Sequence, residues 1–147
     1  MDTTLINSID WESLNHAYGK ATNAPKELVN LLSENEDDRD DAVNDFLYSS
    51  AYHQGTVYSC TPSVMRCVIH IIKHEDITTL ETIGAPLIRE LFHFLSICGI
   101  NWKTHPKIAE ALYEGRKIYK EYLSFSDPNT VNSAKELINF CNEYASS

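Results

Sequence analysis

Apolar residues recur along the chain at helical spacing, and Gly, Pro and capping residues separate the runs. Asp10 can cap a short helix in which Trp11, Leu14, Ala17 and Tyr18 share the inward face, and Gly19 ends it. Pro25 suits the first turn of a second helix, Lys26 to Ser33, with Leu28, Leu31 and Leu32 inward. A third helix is predicted from about Glu36 to Tyr52. Its stripe is Ala42, Val43, Phe46, Leu47, Ser50 and Ala51, and Gly55 stops it.

Thr61 as cap and Pro62 at the first position open a fourth helix. Val64, Met65, Cys67, Val68, Ile69, Ile71 and Ile72 leave it little polar face, which places it centrally. Residues 77 to 85 read as a connection of weak helical character. Pro86 to Cys98 is a strongly apolar helix, with Gly99 as its stop. Pro106 starts an amphipathic helix to about Phe125, with Ile108, Ala111, Leu112, Ile118, Tyr119, Tyr122 and Leu123 inward. Asp127-Pro128 opens the last helix, buried along Val131, Ala134, Leu137, Ile138 and Cys141. No strand is predicted. The fold class is all-α: about seven helices in one domain, residues 1–147. They are expected either as stacked antiparallel pairs of a HEAT/ARM-like α-solenoid or as a compact helical bundle.

Charge changes the picture. The chain carries a formal −9, and residues 34–45 concentrate it. Glu34, Glu36, Asp37, Asp38, Asp40, Asp41 and Asp45 face only Arg39, so this segment holds −6 of the −9. Such a balance argues against nucleic acid, whose phosphates need Lys and Arg. It suits either a solvated helix start or a docking face for a basic partner. No leader and no membrane-spanning run is read, so a cytoplasmic protein is expected. The four cysteines lie among apolar neighbours with no C-x-x-C pair, as buried reduced thiols do.

Little in the residues points to catalysis. No phosphate-binding Gly loop, nucleophile elbow or calcium loop occurs. His70 and His74 stand four apart, the spacing of a metal pair, but no third ligand follows, and a structural role is the simpler reading. No cofactor is expected, and the chain is read as a non-enzyme.

Asp37, Asp38, Arg39, Ala42 and Phe46 resemble the second helix of a HEAT repeat, with Asp38 where the family commonly has Val. Residues 11 to about 72 extend the likeness. Trp11, Leu14, His16-Ala-Tyr-Gly19, Ala21 and Pro25 are followed by His53-Gln-Gly-Thr-Val-Tyr58. Together they resemble a group of bacterial HEAT-repeat proteins that carry the motifs W..L.HAYG.A...P and HQG.VY. Some of that group look like immunity proteins encoded beside polymorphic or contact-dependent toxins. The resemblance therefore implies a cognate toxin domain as partner, a basic nuclease of RNase type, or else a HEAT-type scaffold binding a host protein. The expected binding residues are the seven carboxylates above with Tyr48, Tyr52 and His53.

Overall fold

The computed structural model describes residues 1–147, and it is mostly helical, as the spacing predicts. Helix α1 is Thr4–Ser8, and a 3-10 turn follows at Trp11–Ser13. Helix α2 is Ala24–Asn30 and α3 is Glu36–Asp41. α3 runs directly into a π-helix, Ala42–Ala51. Helix α4 is Thr61–His74 and α5 is Leu87–Cys98. A second 3-10 turn, Trp102–Thr104, leads to α6, Pro106–Glu114. Helix α7 is Arg116–Glu121, and α8 is Pro128–Ser146. No helix is long and apolar enough to cross a membrane.

A single cluster of 37 buried residues forms the core. α4 packs most extensively on α6, and α5 on α8, more than α4 and α5 pack on each other. The helices form a compact all-α arrangement in which α7 and α8, neighbours in sequence, also pack closely. Both α4 and α5 bury most of their circumference, and each therefore needs neighbours on several sides.

Three antiparallel hairpins correct the expectation of no strand. β1 (Asn15–His16) pairs with β2 (Gly19–Lys20), β3 (Tyr52–His53) with β4 (Thr56–Val57), and β5 (Glu81–Thr82) with β6 (Ala85–Pro86). Each strand has two residues, too short to show an alternating pattern. The first replaces the predicted helix through Ala17 and Tyr18, and Asp10 makes no side-chain cap. The turn of the second needs positive φ twice, at Gln54 (46°) and Gly55 (85°), a conformation Gly adopts freely. The third occupies the predicted connection.

The predicted helix over 36–52 buries all six of its stripe residues, yet its second half is a π-helix. Its hydroxyls bond in the same register: Ser49 Oγ donates to the Asn44 carbonyl and Ser50 Oγ to that of Asp45. Thr61 is not the cap of α4, since Cys60 holds that position. The Thr61 hydroxyl is buried, donates to the Ala51 carbonyl and accepts from the Tyr58 amide. It thereby pins the base of the β3–β4 hairpin to the end of the π-helix.

The predicted helix from Pro106 to Phe125 divides at Gly115. A Cβ there would lie 2.5 Å from Cζ of Tyr119, whose buried ring donates its hydroxyl to the Leu112 carbonyl. Beyond the break Tyr122 is half-buried and Leu123 exposed, not inward as the stripe predicts. Asp127 does cap α8, as the Asp-Pro pair predicts. Its Oδ2 accepts from the Thr130 amide and hydroxyl and from Arg89 Nε, while Oδ1 accepts from Arg89 Nη2 at 2.7 Å. Val131 and Ile138, expected in the buried stripe of this helix, are only half-buried.

Two predictions follow from these anchors. Gly115→Ala should cost about 2 kcal/mol, because the packed ring has nowhere to move. Gly99→Ala should cost less, because the atom in its way is Cδ1 of Leu112, the free end of a side chain. Urea unfolding of both variants checks the order. The bonds from Arg89, and then those from Thr130, hold the Asp127 carboxyl well below its ordinary 3.8. Its contribution is therefore present above the unfolded pKa and is lost as pH falls through the lower folded value. Asp127→Ala should lower stability at pH 7 by about 2 kcal/mol through the lost cap and ion pair, with the gap to wild type closing in strong acid.

Candidate protein-binding face

The acidic segment begins at a well-made helix start. Asn35 caps α3 by accepting from the amides of Asp37 and Asp38, and Glu36, Asp37 and Asp38 crowd the positive end of the helix dipole. Arg39, the base among them, does not neutralise them. It is buried, its Nε donating to the Glu81 carbonyl at 2.8 Å and its Nη1 to the Ser33 carbonyl at 2.7 Å. None of the seven carboxylates lies within ion-pair distance of a Lys, Arg or His side chain or of the amino terminus. The segment therefore keeps a net negative charge at the surface, with Lys26 of α2 beside part of it.

Part of it converges. Asp38, Asp41 and Asp45 line a hollow of about 320 Å³ against α2, together with Glu27 and Lys26. Burial raises the Glu27 carboxyl above its ordinary 4.5; Lys26 opposes the rise, and Asp45, Asp41 and Asp38 add to it. Burial is the main cause, and the neighbouring carboxylates act in the same direction. Asp40 faces elsewhere, its Oδ1 accepting from the Ile83 amide in the turn of β5–β6. Glu34, Glu36 and Asp37 are exposed at the start of α3.

Beside the hollow lies an aromatic ridge. Asn23, on its rim, accepts from Nε2–H of His16 at 3.0 Å. The Tyr18 amide donates to the Nδ1 of the same ring. Tyr18 stands edge-on to His53, with ring centroids 5.8 Å apart, and is 70% exposed. His53 is fixed from below by a bond between its Nδ1 and the Ser49 carbonyl. The first hairpin is tied to the segments that flank the second: the Ala17 amide donates to the Ser50 carbonyl of the π-helix, and the Cys60 amide, ahead of α4, to that of Asn15.

The residues expected to act together thus divide. Asp38, Asp41 and Asp45 share the hollow, and His53 joins the ridge. Tyr48 is half-buried and turned to α5, its hydroxyl donating to Glu90 Oε2 at 2.7 Å. Burial, and after it the Glu90 bond, pushes that phenol well above its ordinary 10. Tyr52 faces a separate cavity beneath β3–β4. Glu27 and Tyr18 escaped the sequence reading. Glu27 sits on the polar side of an otherwise packing helix, and Tyr18 matched a core stripe. The glycine that follows Tyr18 is the turn signal in the sequence, and Gly19 takes φ 137° here.

Elsewhere the reactive groups are quiet. All four cysteines are free and buried, and burial pushes the Cys60 and Cys67 thiols up to about 12. No group of three His, Cys, Asp or Glu side chains is placed to hold a metal ion. His70 and His74 lie with ring centroids 4.4 Å apart, and Nε2 of His70 is 3.9 Å from Asp2, beyond hydrogen-bond reach.

Tyr48→Phe should lower stability by about 1 kcal/mol, since it removes the hydroxyl from two Glu90 acceptors. Tyr18→Ala should leave stability within about 0.5 kcal/mol of wild type, as its ring is already in water. Thermal unfolding of the pair distinguishes the packing aromatic from the presented one.

No protein-family model, no curated protein and no solved structure matches this chain.

Proposed function

We propose that this chain is a cytoplasmic immunity protein that binds and neutralises a cognate bacterial toxin, a basic nuclease domain of RNase type. The observation that carries the proposal is the excess of carboxylates in the α2–α3 hollow, Glu27, Asp38, Asp41 and Asp45 against Lys26, with the Arg39 guanidinium buried and bonded to carbonyls. A nuclease needs a basic cleft to hold phosphates. An array of carboxylates on a rigid helical frame meets that cleft with the opposite sign, speeds encounter and blocks substrate. The likeness of residues 11–72 to a bacterial HEAT-repeat group supports the same reading. In this scheme Tyr18 supplies the aromatic anchor beside the charged field, and His16 and His53 hold its orientation.

The protein should co-purify with the product of the gene immediately upstream and rescue growth when that product is expressed. Failure of rescue with binding retained would favour the scaffold reading. Replacing Asp38, Asp41 and Asp45 together by Lys should slow association at least tenfold and flatten its salt dependence, with the fold intact by circular dichroism. Tyr18→Ala should raise the dissociation rate about tenfold at unchanged stability. Wild-type kinetics in the triple variant would sink the charge mechanism.

A further inference from the structure

A second surface of opposite character runs along the β3–β4 hairpin. Two hollows of about 220 and 520 Å³ meet there and share Val57 and His105. The larger lies within the ~300–1,000 Å³ of small-ligand sites. Its apolar lining is Leu14, Val57, Tyr58 and Ile108, with Pro62 and Pro106 beside them. The chain carries 21 acidic residues in 147, yet no Asp or Glu lines either hollow. The charged residue present is Lys107, which enters no ion pair.

His105 stands between the hollows. Its Nδ1 donates to the Asn101 carbonyl, so the neutral ring carries its proton there and offers Nε2 to the trough only as an acceptor. The nine-residue helix α6 starts at the same place with no side-chain cap, so its positive end adds to the charge of Lys107. An apolar trough with one cationic end and no carboxylate complements a molecule with an apolar body and one negative head. We propose that this trough binds a small apolar monocarboxylate. Its chain would lie over Val57, Pro62 and Ile108, and its carboxylate would face Lys107 at the uncapped start of α6. Apolar burial supplies the affinity, and the charge sets the orientation.

Amide chemical-shift titration of the whole protein with sodium decanoate, below its micelle concentration, tests this. Decyltrimethylammonium, with the same chain length and opposite charge, is the control. Decanoate should give saturable shifts at Val57, Tyr58, Lys107 and Ile108, and bind at least tenfold more tightly there than the cation. Lys107→Glu should weaken decanoate about tenfold, the value of one charge-assisted contact, while Lys135→Glu on α8 should change nothing. Val57→Asp should abolish the shifts, with fold retention read from the remaining amides. The proposal is overturned if no saturable shifts occur at these amides, if the two amphiphiles bind equally, or if Lys107→Glu binds like wild type. The site is independent of the acidic face, so replacing Asp38, Asp41 and Asp45 should leave decanoate binding unchanged.

Discussion

Arg39 is buried in the most acidic part of the chain, and its guanidinium donates to carbonyls rather than to carboxylates. A buried charge needs partners, and here Ser33 before α3 and Glu81 in β5 provide them. The two bonds join the loop after α2 to the third hairpin across the start of α3. That start is consequently fixed in space, and so are the carboxylates it carries. With the guanidinium drawn inward, the outward face keeps a negative excess beside Lys26. One interaction thus sets both the local geometry and the electrostatics of the candidate face.

The hairpins extend this framing. Each turns the chain just ahead of a helix: α2, α4 and α5 follow β2, β4 and β6. The buried Thr61 hydroxyl ties the second hairpin to the π-helix, and backbone bonds tie the first hairpin to the π-helix and to the start of α4. Tyr18 and His53 therefore project from a braced corner. Rigid presentation of an exposed aromatic beside charge limits the entropy lost on binding. The opposite flank of the β3–β4 hairpin contributes Val57 to the carboxylate-free trough, so this hairpin borders two surfaces of contrasting charge.

The sequence by itself determined the helical class and the location of the charge. The stripes of α4, of α5 and of the segment from Ala42 to Ala51 read clearly because burial on a helix face repeats over several turns. The Asp-Pro start of α8 read clearly because its cap chemistry is local. Tertiary structure decided what depends on neighbours distant in sequence. Tyr18 has a core-like spacing and still points to water, since two-residue strands leave no periodic trace. Tyr48 and Tyr52 lie on the same segment as the acids, but α5 and a cavity under the hairpin claim them. Glu27 joins the carboxylates only because α2 packs beside the π-helix. The pairing of α4 with α6 and α5 with α8, rather than with sequence neighbours, rests on mutual burial of helices that are apolar nearly all round, and no local pattern encodes which partner each one takes.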